Sequence, residues 1–297
     1  MKRRQQGILT GMPFMANVAP RTFVDDLGRK IYLAKTPTRI VSLAPSVTEI
    51  LFALQLREEI VGVTQFCDFP EAAQAKPKIG ASFPNVEAIV ALQPDLVVGQ
   101  QGFVRADVLA TLEQLKIPTF IMDAKTVEDI LSHIQTMGRI VGRSPVANEL
   151  VASMRQRINA VKERLNGAPK LRLLYVLNSE PLITVGPGSF IHQVLQLAGG
   201  VNIAAASVLP YPRYNMEAVL KEDPEVLVFP IGDAEGIPES EQARWRQWTS
   251  LSAVKHQRYV KIPSVLLDRQ GPRIVEGLEW LARSLHPQRF SEKSGAS

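Results

Sequence analysis

Residues 87–98 read EAIVALQPDLVV, and residues 217–228 read EAVLKEDPEVLV. Both fit one pattern: Glu-Ala, five residues, Pro, an acid, two apolar residues and Val. They stand 130 residues apart, 217 against 87. Asparagine precedes each glutamate by two, at Asn85 and Asn215, and aromatics lie just upstream, Phe83 in one copy and Tyr211 and Tyr214 in the other. Each copy reads as a short helix feeding a buried strand. The asparagine is a good N-cap, since its side-chain oxygen accepts from the first helical turn. Glu87 and Glu217 then fall in that turn, where a carboxylate gains about 0.3–1 kcal/mol from the helix dipole. Helix-start duty explains an acid there; it does not require the same acid at the same step twice. A repeat this long is no solenoid and indicates two similar units.

Outward from the repeat, strands alternate with helices. FVDDLGRKIYL (23–33) predicts a hairpin. RIVSLAP (39–45), IVGVTQF (60–66), DLVVGQ (95–100) and IPTFIMD (117–123) read as strands, with helices between them and one from Thr126 towards Gly142. Ser46 or Thr48 is the expected cap of the helix after RIVSLAP. VANELVASMRQRINAVKERL (146–165) has no Gly or Pro and a helical apolar period, giving a helix of about 30 Å. It is either a last crossover or a strut between two units. The pattern then restarts with KLRLLYVL, PLITV, a helix opened by Gly186-Pro187-Gly188-Ser189 and ended by Gly199-Gly200, EVLVFP, RYVKIPS and a terminal helix with Pro272 in its first turn. Alternation of this kind means βαβ units and mainly parallel sheets. The expected organisation is 1–21 as a signal segment or disordered arm, 22–144 and 167–287 as two units, 145–166 as connecting helix and 288–297 as tail.

Composition excludes several classes. Of 297 residues, 45% are hydrophobic and 21% charged, which suits a globular chain with a large core. No apolar run approaches the roughly 20 residues of a membrane span. Net charge is +5, from 34 basic and 29 acidic residues, and the basic ones are scattered, so no nucleic-acid stripe is present. The single cysteine, Cys67, excludes an intrachain disulfide and multi-cysteine metal sites. His133, His192, His256 and His286 lack zinc-motif spacing. Lys2-Arg3-Arg4 followed by GILTGMPFMANVA has the order of a secretory signal, but Gly11, Pro13 and Asn17 break its apolar stretch and no cysteine stands nearby for a lipid anchor.

Several segments together resemble one known family: DDLGRKIYLAKTPTRIVSLAPSVTEILFAL, IVGVTQFCDFPEAA, PNVEAIVALQPDLVVG, PYPRYNMEAVLKEDPEVLVFP and the late RQGPRIVEGL, in that order. The chain is similar over residues 22–286 to the periplasmic binding proteins of bacterial ABC importers for cobalamin and ferric siderophores. The resemblance implies an α/β fold of two Rossmann-like lobes with mainly parallel sheets, joined by a single long helix. It implies no enzyme activity and no cofactor of the protein's own. Its partners would be a metal chelate, corrinoid or haem-like ligand and an ABC permease, outside the cytoplasm, the receptor acting as a monomer. Glu87 and Glu217 match the family's acidic residues that dock on permease arginines. Phe66, Phe83 and Tyr211 match cleft positions, where aromatic faces suit a flat macrocycle or catecholate. Gln101 is a polar candidate, and Arg269 matches an arginine able to pair with an anionic ligand group. Trp245, Trp248 and Trp280 fall outside the cleft positions where cobalamin binders of this kind carry tryptophans.

Two other readings compete. A sensor or adhesin can use the same lobes without transport. An α/β enzyme is the other, but the chain lacks a dinucleotide fingerprint, a P-loop and a nucleophile elbow. GPGSF (186–190) suits a capped turn as well as an anion site.

Overall fold

The computed structural model describes residues 20–81, 84–232 and 236–291. Residues 1–19, Phe83 and 292–297 lie outside them, and with these almost all of the signal segment, one cleft aromatic and most of the expected tail.

The predicted hairpin forms: β1 (Arg21–Val24) pairs antiparallel with β2 (Lys30–Leu33). Two four-stranded sheets follow, every ladder in both parallel. The first contains β3 (Ile40–Ser42), β4 (Ile60–Val63), β5 (Leu96–Gln100) and β6 (Thr119–Met122), in the order β4-β3-β5-β6. A small hairpin, β8 (Asn178–Ser179) with β9 (Leu182–Ile183), is what PLITV becomes. The second sheet contains β7 (Leu171–Tyr175), β10 (Gly200–Asn202), β11 (Val226–Ile231) and β12 (Tyr259–Pro263), in the order β10-β7-β11-β12. In each half the second strand is outermost, then the first, third and fourth. The repeat seen in sequence is a repeat of topology.

The helices are α1 (Pro45–Ala53), α2 (Val86–Ala91), α3 (Ala106–Gln114), α4 (Val127–Ile140), α5 (Ser144–Arg164), α6 (Phe190–Leu197) and α7 (Met216–Glu222). Four short ones, α8 (Glu239–Arg244), α9 (Ser252–Lys255), α10 (Ser264–Leu267) and α12 (Pro287–Phe290), flank the longer α11 (Ile274–Leu285). Residues 288–290, expected as tail, thus close a helical turn.

The repeated residues have matched structural duties. Asn85 accepts from Ala88 N at 2.9 Å and Asn215 from Ala218 N at 2.8 Å, capping α2 and α7. Asp95 accepts the backbone N–H of Arg39, and Glu225 that of Arg172, pinning the starts of the two central strands. Each arginine then returns its guanidinium to carbonyls at the end of the preceding helix: Arg39 Nε to Leu92 and Gln93, Arg172 Nε to Asp223. Cap, acid and strand are thereby explained by folding. Glu87 and Glu217 stand in the first turns of α2 and α7, where the helix dipole favours an acid without requiring glutamate in both.

Two expectations are corrected. Neither Ser46 nor Thr48 caps α1; the helix starts at Pro45, whose missing N–H needs no cap, and both hydroxyls lie inside it. Pro272 stands in the turn before α11, because Arg273 adopts the N-cap position. The helix stop at Gly199-Gly200 leads directly into the edge strand β10, whose three paired residues are too few to give a strand pattern in sequence.

One contiguous core runs through both halves. It takes Ile40 and Leu96 from the first sheet, Met137 and Met154 from α4 and α5, and Leu173, Val194 and Leu278 from the second half. Gly138 lets α5 approach α4, for a Cβ there would lie 2.4 Å from that of Ala147. Arg157 of α5 forks onto Glu279 of α11 at 2.9 and 2.8 Å; that hydrogen bond lowers the Glu279 carboxyl below its usual range. Gln193 of α6 accepts from Val127 N at 2.6 Å, capping α4 from the other half. A joint packed this way resists bending. Small-angle scattering with and without bound ligand is expected to give equal radii of gyration within error, and a large compaction would contradict the rigid joint.

Candidate functional site

All strands of a parallel sheet end at the same edge, and loops leaving that edge build sites in open α/β folds. A cavity of about 250 Å³ opens between the two halves at those edges. The first half lines it with Pro45, Ser46, Gln100 and Phe103, the second with Leu177, Asp268 and Arg269. A cavity of about 290 Å³ elsewhere lies at the opposite edge of the second sheet, among Leu171, Val226 and Tyr259 where its strands begin. It belongs to one half alone.

The cavity wall is held from behind. Ser46 donates to Gln100 Oε1. Tyr175, fully buried at the end of β7, donates to Asp268 Oδ1 at 2.6 Å. Beside the cavity, buried charges cross from half to half. Arg273 Nε and Nη2 donate to Glu49 of α1 at 2.9 and 2.6 Å. Arg269 Nη1 reaches Glu49 at 3.2 Å and Asp68 at 2.6 Å. The Arg273 guanidinium lies 4.0 Å from the centre of the Phe69 ring, a cation–π contact. Burial raises the Asp68 carboxyl, but the hydrogen bond and charge of Arg269 and the charge of Arg273 outweigh it and hold it below the usual range. Next door Gln270 exchanges two hydrogen bonds with the Ala124 backbone, at 3.1 and 3.2 Å. Gly271 passes so close to Glu49 that a Cβ would stand 3.3 Å from Oε2. The late RQGPR segment and the early TEI triplet, 220 residues apart, thus form one clasp.

The sequence-selected residues fall as follows. Arg269 lines the cavity and is itself held by Glu49 and Asp68. Gln101 is exposed on the turn, its N–H given to Met122 O, while its neighbour Gln100 lines the cavity. Phe66 and Tyr211 are 41% and 47% exposed, on loops that follow β4 and β10. Phe103, which the sequence reading passed over, reaches the cavity from the loop after β5. Glu49, Asp68 and Arg273 escape the sequence reading too; a lone acid inside an otherwise apolar helix start is the available signal for Glu49. Trp245 packs edge-on to Phe229 beneath the second sheet, with Trp248 in the same cluster, and Trp280 is exposed on α11.

Helices in βαβ units run antiparallel to their strands, so α2 and α7 start at the cavity edge of their sheets. Glu87 and Glu217 therefore stand on the cavity side, one per half, both exposed. Burial along 85–90 and 215–220 is identical, position by position.

The family described as periplasmic binding protein matches residues 40–266. The chain belongs to that family. It is 30% identical over 282 residues to an uncharacterized ABC transporter substrate-binding lipoprotein, YvrC of Bacillus subtilis, covering 93% of this chain and 88% of the relative. The crystal structure of the periplasmic vitamin B12 binding protein BtuF of Vibrio cholerae superposes with a TM-score of 0.74 at 29% identity, over 86% of this chain and 99% of that one. A structure from an Fe3+-hydroxamate ABC-type transport system of Saccharomonospora viridis gives 0.73 at 25% identity, over 92% and 99%. The fold of periplasmic binding proteins with parallel α/β sheets is thus that of this chain, and no helix among the described residues is long and apolar enough to cross a membrane.

Proposed function

We propose that the chain is an exported receptor that captures a corrinoid, haem or ferric siderophore between two lobes, 22–144 and 167–287, joined rigidly by the helix of 145–166. It hands this cargo as a monomer to an ABC permease and carries out no chemistry of its own. The observation that carries the reading is the cavity at the converging strand ends, flanked by one exposed glutamate per half. The relatives support it: one structure is of a vitamin B12 binding protein, another is from an Fe3+-hydroxamate transport system. The wall suits such cargo. It is mostly apolar with a few fixed polar groups, Ser46, Gln100, Asp268 and Arg269. Phe103 supplies a half-exposed ring to the wall; Phe66 and Tyr211, exposed on loops that leave the same strand ends, and Phe83, by its place in the sequence, belong to the same proposal.

Deleting the gene is expected to abolish uptake of one of the three cargo classes, and the gene in trans to restore it. Uptake of all three at the undeleted rate would overturn the reading. Phe103→Ala and Tyr211→Ala are each expected to weaken cargo binding by roughly 1–3 kcal/mol, the burial value of such a ring. Both rings are half in water, so unfolding midpoints should scarcely move. Unchanged affinity in both variants, measured by titration calorimetry, would remove these residues from the site.

A further inference from the structure

Two carboxylates share the guanidinium of Arg269, and they differ in how firmly they are held. Glu49 is sealed in, its side chain 2% exposed, with Arg273 forked upon it as well as Arg269 bonded to it. Asp68 grips Arg269 from the other side, Nη1 to Oδ1 at 2.6 Å and Nη2 to Oδ2 at 3.2 Å. Yet its side chain is 54% exposed, on the loop after β4. Arg269 is 8% exposed and is also a wall of the ligand cavity. One buried arginine thus lines the cavity while a half-solvated carboxylate from the opposite half holds its guanidinium.

Charge decides what happens when an anion enters. Glu49 and Asp68 balance Arg269 and Arg273, and Asp268, which accepts from Tyr175, adds a further carboxylate to the cavity wall, so no positive charge is to spare. An added carboxylate or phosphate would leave an uncompensated negative charge beside a buried one, which is costly. The anion must therefore replace one of the two acids. Glu49 cannot leave, because departure would strand two guanidiniums in the interior. Asp68 can turn into water, where its charge is solvated at once, and the incoming anion takes over the forked geometry that arginine favours.

We propose that Asp68 is an internal stand-in for an anionic group of the cargo. It holds Arg269 in the empty receptor, and a cargo carboxylate or phosphate displaces it from the same guanidinium. Asp68 therefore sets selectivity: an uncharged cargo leaves the Asp68–Arg269 pair in place, and an anionic one competes with it. This rests on the receptor reading above.

The test titrates the full chain, Asp68→Asn and Asp68→Glu with two probes: haemin, which carries two carboxylates, and ferrichrome, an uncharged ferric hydroxamate. Asp68→Asn is expected to tighten haemin by about tenfold, the worth of one charge-assisted hydrogen bond no longer competed for. Ferrichrome affinity should stay within about twofold, as for a change at a half-exposed ion pair. Asp68→Glu, which keeps the competing charge, should match the parent. Haemin bound equally or more weakly by Asp68→Asn would overturn the proposal. A second measurement needs no cargo. Phenylglyoxal modification of Arg269, followed by peptide mass spectrometry, should be several-fold faster in Asp68→Asn than in the parent or Asp68→Glu; equal rates would overturn the stand-in role. Should neither probe bind any of the three proteins, the receptor reading loses its support from these cargoes, and the phenylglyoxal rates alone decide on Asp68.

Discussion

Glu49→Ala is expected to destabilise the protein by about 3–5 kcal/mol, the loss found when one partner of a buried ion pair is removed. The carboxylate accepts three hydrogen bonds from two guanidiniums, and both arginines are largely buried. Without it, Arg273 keeps its contact with Phe69 and Arg269 keeps Asp68, but one positive charge stays in the interior uncompensated. The small side chain adds a cavity beneath Gly271, where the chain now passes against the carboxylate. The loss falls on the contact between halves, so it should appear as a lower urea midpoint together with faster proteolysis between them. Glu87→Ala is the control. It removes an exposed acid and should cost less than about 1 kcal/mol, a first-turn dipole contribution. Equal midpoints for Glu49→Ala and the control would show that the clasp does not hold the halves together.

The second large effect is expected from Glu87→Arg combined with Glu217→Arg. Both side chains are exposed on the cavity side, and neither lines the cavity. Cargo affinity should therefore stay nearly intact. Folding should change little, because Asn85 and Asn215 still cap their helices. Docking should fail. Close charge pairs across protein interfaces couple by about 1.5–7 kcal/mol, and reversal sets like charges against the permease arginines that the family resemblance implies. Uptake and stimulation of the permease ATPase should fall to background, and pull-down of the complex should fail at physiological salt. Normal uptake by the doubly reversed protein would return both residues to helix-start duty. Single reversals should give intermediate uptake, as expected for one contact per half.

What the sequence made legible follows from the range of the interactions. Parallel sheets, the long helix α5 and the twofold repeat were readable, because period, caps and breakers are local. Asp95 and Glu225 were visible as a repeated acid, although their duty of pinning the central strands needs the strand partner to be seen. The clasp was not readable as a clasp. Its members lie up to 224 residues apart, from Glu49 to Arg273, and no periodicity connects them. Arg269 was noticed for a ligand, yet its two protein carboxylates were not foreseen. The shift from Gln101 to Gln100 has a simple cause: DLVVGQQGF leaves the strand end open by one residue, and Gln101 turns outward as its N–H bonds Met122. Short elements such as β10 and α10 escaped because three or four residues give no period to read.

The central claim is that the cavity between the halves takes one metal chelate or corrinoid. No tryptophan lines that cavity, so calorimetry is a better readout than intrinsic fluorescence. Purified protein should be titrated in turn with a corrinoid, haemin and a ferric siderophore, each repeated on Phe103→Ala. The account predicts that one of the three saturates a single site per chain, and that Phe103→Ala weakens that binding by the roughly 1–3 kcal/mol of a buried ring. Absence of binding heat with all three, or binding untouched by changes at Phe103 and Tyr211, would contradict it.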